Sequence, residues 1–224
     1  MPNLLVGCGP FPPRRKLYMD RCSCVELSES VFEPFRHQTL RKWNAERPDG
    51  FKYILAASRW LTLEPLDAPE EKPFDFPTAD FGLFQPTDAN KAVWDQVREQ
   101  ADELAADTVL IKSPTGFSPA DKNLRNLETF RRDIIGEVPF EIVWEPRGIW
   151  LADELHGLGE QLNMTIAQDP HGEAAFPTPR PNAYYVLTAP RGHLRFNEDD
   201  LFDLIEFLED HEGDVRVVFR GADR

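Results

Sequence analysis

The sequence predicts an α/β protein, and more narrowly a TIM-barrel-like (β/α)8 closure whose outer helix ring is incomplete. Three features lead there. Eight short apolar or β-branched runs recur along the chain, stretches of helical period separate most of them, and 224 residues suit one barrel domain spanning 1–224. A chain of that length buries roughly 70 to 75% of its unfolded surface, enough for one large core. Strands that alternate with helices pair in parallel, and eight parallel strands close most economically on themselves.

The strands are expected at Asn3 to Cys8, Ser23 to Leu27, Phe51 to Ala57, Asp107 to Lys112, Phe140 to Glu145, Met164 to Gln168, Ala183 to Thr188 and Asp214 to Arg220. Between them, Glu33 to Glu46 is expected to be helical, with Pro34 in the first turn, where proline is tolerated. Thr87 and Asp88 open the clearest helix, "TDANKAVWDQVREQADELAAD", which places Ala92, Val93, Val97, Ala101 and Leu104 on one face. Ser118 and Asp121 precede "KNLRNLETFRRDI", with Leu124, Leu127, Phe130 and Ile134 as its apolar stripe. Asn197 is the expected cap of "EDDLFDLIEFLEDH", whose acids crowd the first turn as the helix dipole favours.

Three places depart from the ideal ring. "GPFPPRRKLYMDR" is too short and proline-rich for a full helix, "HGEAAFPTPRPN" has no helical period, and Arg224 follows closely on the last strand. The flanks left uncovered are expected to suit burial in a homodimer, with an open sheet as the structural alternative. The insertion "LTLEPLDAPEEKPFDFPTADFGLFQP" follows a strand's C-terminal end and should lie over the barrel mouth, as a lid or as a packed surface loop.

Charge and composition narrow the function classes. A net charge of -14 and a pI near 4.8 oppose generic nucleic-acid binding, which draws on cationic surface and counterion release. Arginine far outnumbers lysine, which supplies planar forks for carboxylate or phosphate. No apolar run approaches the ~18 residues of a membrane span, and "MPNLLVGCGPFPPRR" lacks a basic start with a long apolar core, so the expected location is cytoplasmic. Three cysteines, an odd number, suit a reducing compartment. Cys8 ends one expected strand whereas Cys22 and Cys24 begin the next, so simple parallel pairing separates them and leaves buried free thiols rather than a metal knuckle.

In a barrel, the C-terminal strand ends converge on one mouth. Those ends carry Glu26, Arg59, Lys112, Glu145, Arg147, Asp169 and Arg220, a locally cationic set in an acidic protein. Such a set attracts an anionic ligand. In "FEIVWEPRGIW", Glu145 and Arg147 lie two apart and project to the same side, with Pro146 where the strand ends. Arg147 is either a bidentate holder of phosphate or carboxylate, with Glu145 as acid or base, or the two form a structural ion pair. Lys112, followed by "SPTG", is a candidate oxyanion holder or nucleophilic amine, with a snorkelling strand-end lysine as the alternative. Asp169 and His171 in "DPH" offer metal ligands or a proton relay, with a turn start as the alternative. Arg191, His193 and Arg195 in "APRGHLRF" follow the seventh strand, where barrel phosphate sites often form, with a solvated basic turn as the alternative. Metal spacing is weak, with no two-histidine zincin helix and no paired cysteine knuckle, and "GCG" runs into prolines and so is no nucleotide fingerprint; the sequence names no cofactor. Trp94 and Trp144 are expected in the core.

Several segments together resemble the domain-of-unknown-function-72 family, YecE-like proteins with a TIM-barrel fold. They are "VGCGP", "CSCVELSESVFEPFRHQTLRKWNAERPDGFKYILAASRWLT", "GLFQPT", "TVLIKSPTGFSPADKNLRNLETF", "VWEPRGIW", "IAQDP" and "DVRVVF". The resemblance runs over most of the chain and implies a barrel without supplying a reaction. The chain departs from the family pattern at Gly9–Pro10 in place of glycine–tryptophan, at Ala56 in place of a lysine, and at Leu63 in place of a histidine. "LTAPRGH" replaces a leucine-histidine-glycine turn, Arg220 and Gly221 replace an asparagine pair, and the family's C-terminal helix is missing.

The expected partner is therefore a small anionic ligand at the mouth, with no membrane and with nucleic acid disfavoured. Hydrolase and lyase chemistry both fit. A non-catalytic binding or scaffold protein and a nucleic-acid-processing enzyme are the alternatives, and the residues leave open whether the chain is an enzyme.

Overall fold

The computed structural model describes residues 3–170, 182–188, 196, 198–208, 211 and 213–221. Eight strands form a closed barrel in sequence order: β1 (Asn3–Gly9), β2 (Cys24–Leu27), β3 (Lys52–Ala56), β4 (Thr108–Lys112), β5 (Glu141–Glu145), β6 (Thr165–Gln168), β7 (Asn182–Thr188) and β8 (Asp214–Arg220). All neighbours are parallel, and β8 returns to β1 in register Asn3 opposite Asp214 through Gly9 opposite Arg220. Each strand lies within one residue of its expected limits. The predicted barrel is thus the fold.

The helices among the described residues are α1 (Arg15–Met19), α2 (His37–Ala45), α3 (Asp88–Leu104), α4 (Asp121–Thr129), α5 (Ala152–Leu162) and α6 (Glu198–Leu208). The proline-rich first connection yields only the five residues of α1, as its length requires. Thr87 caps α3 as expected, its hydroxyl accepting from the Asn90 amide at 3.2 Å. Trp94 and Trp144 are fully buried in the shell between sheet and helices. Asn197 and the segment from His171 to Pro181 lie outside the described residues.

Three local expectations are corrected. The helix foreseen from Glu33 begins only at His37, because Phe35 donates its amide to Gln100 Oε1 on α3 at 2.8 Å, and residues preceding or containing proline resist the helical ladder. Ser118 does not cap α4; Ala120 stands at the cap without a side-chain bond, and Asp121 is already in the first turn. The cysteines are not held at opposite ends of the sheet. Barrel shear sets Gly7 against Cys24 and Cys8 against Val25, so alternation turns Cys24 into the barrel and Cys8 to its outside. Cys24 is fully buried while Cys8 and Cys22 are half-buried. Burial pushes the Cys24 thiol up to about 12, which keeps it unreactive.

Side-chain alternation stacks the interior in layers. Leu5, Cys24, Ile54, Leu110, Val143, Ala167, Tyr184 and Val218 form its apolar middle. Two residues earlier on the strands, Arg216 donates to Glu141, and Thr165 bonds the same carboxylate at 2.5 Å, making a polar floor. Two residues later come Glu26, Lys112, Glu145 and Arg220.

The long insertion is tied down near its end. Asn90, fully buried on α3, accepts from the Gly82 amide at 3.0 Å and donates to the carbonyls of Gly82 at 3.0 Å and Gln85 at 2.8 Å. Leu61, Phe81 and Phe84 are fully buried, and Trp60 packs edge-on against Phe81 with ring centroids 5.0 Å apart. These contacts make its two ends a packed cover rather than a free lid.

Candidate functional site

The period-two rule delivers the site. Each of Glu26, Lys112, Glu145 and Arg220 stands two residues beyond an inward apolar residue, so all four point to the axis at the C-terminal mouth. The register sets Lys112 beside Glu145 across the β4–β5 pair and Arg220 beside Gly9 across the β8–β1 pair. Gly9 leaves space there; a Cβ on it would come within 2.9 Å of Ser28 Oγ and 3.3 Å of Glu26 Cβ.

The inner tier is a closed ion network. Glu26 is wholly buried. Lys112 Nζ donates to its Oε1 at 2.8 Å, Tyr184 Oη to its Oε2 at 3.1 Å, and Arg220 Nη2 to the same oxygen at 2.6 Å. Arg220 also forks onto Glu145, with Nη1 to Oε1 at 2.9 Å and Nη2 to Oε2 at 2.8 Å. Burial pushes the Glu145 pKa upward, yet Arg220, Lys112 and Arg147 overcome this and hold it below the ordinary carboxylate range. Burial likewise opposes the charge on Arg220, but Glu26 and Glu145 raise its proton affinity. Burial first, and the Glu26 charge second, keep the Tyr184 hydroxyl protonated as a donor.

A pH consequence follows from Glu145. A carboxylate whose folded pKa is depressed contributes stability that is present above its unfolded value, about 4.3, and is lost as pH falls through the folded value. Wild type should therefore lose stability on acidification below about pH 4 more steeply than Glu145→Gln. Denaturant titrations across that range check it; parallel pH profiles would remove Glu145 from the network's energetics.

The outer tier faces an open cleft of about 590 Å³ lined by Arg59, Lys112 and Arg147, by the acids Glu64 and Asp67, and by Val31, Phe32, Leu63, Ser113 and Thr115 among others. Its three cations come from the ends of β3, β4 and β5. Arg147 Nε lies 3.6 Å from Glu145 Oε1, but Glu145 already receives both prongs of Arg220, and the Arg147 side chain is 47% exposed. Arg59 stacks over Phe32 at 5.1 Å, and among the described residues its buried Nε has no hydrogen-bond partner. The Thr62 hydroxyl donates to the Lys112 carbonyl at 2.6 Å, fixing the end of β4. Ser113 Oγ accepts from Trp144 Nε1 at 3.2 Å and from the Arg147 amide at 3.4 Å, tying the Arg147 backbone to the same edge.

Of the residues singled out in the sequence, Glu26, Lys112, Glu145, Arg147 and Arg220 meet in one cluster, and Arg59 borders the cleft with Lys112 and Arg147. Asp169 is exposed and does not line that cleft. Arg191, His193 and His171 lie outside the described residues. Sequence reading missed Tyr184, whose inward position on β7 was visible in the strand alternation, and Phe32, an exposed aromatic after β2 with no periodic signal. A larger groove of about 860 Å³ beside α1, walled by Arg14, Arg15, Lys16, Asp20 and Glu46, holds no buried polar network. Among the described residues, only His37, Glu99 and Glu103 bring metal-ligand atoms within 4.8 Å of one another. That group lies between α2 and α3, where Arg41 already donates to Glu103 at 2.8 Å.

An eight-stranded parallel barrel of this kind is a TIM-type barrel, and its ionisable cluster lies at the strand C-termini, the end where such barrels usually carry their sites. The family model described as "Protein of unknown function DUF72" matches residues 11–214, and the chain belongs to that family. Solved structures share the fold. A DUF72 family protein from Enterococcus faecalis V583 aligns with a TM-score of 0.75 at 12% identity, over 100% of this chain and 92% of that one. A DUF72 family protein from Thermotoga maritima MSB8 aligns at 0.67 and 16% identity, over 98% and 92%. A D-tagatose 3-epimerase-like protein aligns at 0.61 and 15% identity, over 98% and 91%. No curated protein matches. Among the described residues, no helix is long and apolar enough to cross a membrane.

Proposed function

We propose that the barrel mouth binds a small anionic ligand bearing phosphate or carboxylate, held by Arg59, Lys112 and Arg147. The observation that carries this reading is that three cations from three separate connections line one cleft in a protein of net charge -14, outnumbering the two acids, Glu64 and Asp67, on the same wall. If the site turns over a ligand, as a hydrolase or lyase, Lys112 is the group placed at the cleft to exchange a proton. Glu145, held ionised, then acts on charge rather than as a general acid.

A second reading, binding without catalysis, draws support from the same network: both buried carboxylates already have cationic partners, which is how a structural cluster is built. The first test is thermal unfolding against inorganic phosphate, phosphorylated and carboxylated metabolites, and short oligonucleotides, since a ligand of the native state raises its stability. Anions should raise the midpoint, and Arg147→Ala should weaken binding by about tenfold or more. No shift with any anion would contradict the reading. A shift with oligonucleotides alone, falling steeply with salt, would transfer it to nucleic acid.

A further inference from the structure

Resting on the anion reading, we propose that the ligand is an anion joined to an apolar, aromatic body, rather than inorganic phosphate or a sugar phosphate. The cleft is two-sided. Arg59, Lys112 and Arg147 supply its positive charge, set against Glu64 and Asp67, whereas Val31, Phe32, Leu63 and Pro114 supply apolar wall. A volume of about 590 Å³ lies in the range that holds a whole organic ligand and far exceeds a lone oxyanion.

Phe32 is the centre of the argument. Its side chain is 63% exposed, and the Arg59 guanidinium lies 5.1 Å from the ring centroid. The ring also borders a second groove of about 500 Å³, formed with Pro10, Ser28, Glu29, Glu33, Pro34 and Phe35. A flat apolar group can therefore pack on Phe32 while its anion reaches Arg59. A large aromatic side chain left in water beside a cation suits an amphipathic ligand. Ser28, Thr115, Glu64 and Asp67 also line the cleft and can meet hydroxyls, so the discrimination against a sugar phosphate rests on the apolar wall at Phe32.

The test is calorimetric titration of the full chain with phenyl phosphate, inorganic phosphate and glucose 6-phosphate at one ionic strength. Phenyl phosphate should bind about tenfold more tightly than either of the others. Phe32→Ala, at a site too exposed to endanger folding, should erase that preference, read as the ratio of phenyl phosphate to inorganic phosphate affinity within the variant. Equal affinities in wild type, or a preference that survives Phe32→Ala, would overturn the proposal while leaving the anion site standing. Failure of all three probes to bind would refute the anion reading itself and this inference with it.

Discussion

Replacing Arg220 by methionine should destabilise the barrel by about 3–5 kcal/mol, the usual result of removing one partner from a buried ion cluster. Arg220 is the common partner of Glu26 and Glu145, and it satisfies three of their four oxygens. Without it, Glu145 loses its only short contacts, and Glu26, wholly buried, keeps only Lys112 and Tyr184. Two carboxylates would then share one ammonium, with only the half-exposed Arg147, 3.6 Å from Glu145, as further compensation. Denaturant unfolding measures the loss. The same experiment on Arg220→Met combined with Glu145→Gln should recover part of it, because the uncompensated charge is removed along with its partner. A single variant as stable as wild type would show that the network contributes nothing to the fold.

Asn90→Ala should cost about 3 kcal/mol, because one truncation leaves a buried amide hydrogen and two carbonyls without their partner. The three bonds all run to the segment that covers the barrel top, at Gly82 and Gln85. Gly82 itself admits no side chain: its φ is +80°, and a Cβ there would lie 1.9 Å from the Leu63 carbonyl oxygen. The loop therefore has one way to pass under Leu63, and Asn90 is the residue that holds it there. Amide hydrogen exchange should show protection lost first around 81–85 in the variant, together with the lower unfolding midpoint. Unchanged exchange would mean that the aromatic packing of Phe81 and Phe84 suffices without the asparagine.

Strands were readable as eight short apolar or β-branched runs separated by helical stretches, and the two-residue period counted along each strand marks which polar residues face the axis. Glu26, Lys112, Glu145 and Arg220 follow from that rule alone. Their pairing did not. Glu145 and Arg147 look like partners in sequence, but barrel closure brings Arg220 from the last strand onto Glu145 with both prongs, leaving Arg147 on the open side. Shear defeated the cysteine placement for a related reason: strand ends do not align in a tilted barrel, so Cys24 faces Gly7 rather than the start of β1. The polar floor of Glu141, Thr165 and Arg216 was hidden because each residue reads singly as a strand-start polar residue. Phe32 lay in a loop, where no periodicity marks a ligand wall.

The central claim is that Arg59 and Arg147 hold the anion, with Lys112 shared between the cleft and the inner network, while Arg220 is structural. The most direct measurement follows the arginine Nε–H signals by nuclear magnetic resonance during titration with phenyl phosphate at constant ionic strength. The account predicts saturable shifts for Arg59 and Arg147, with Arg220 unmoved and the Arg59 response in Arg147→Ala displaced to about tenfold more ligand. Fixed Arg59 and Arg147 signals at saturating ligand, or a shift in Arg220 alone, would contradict it.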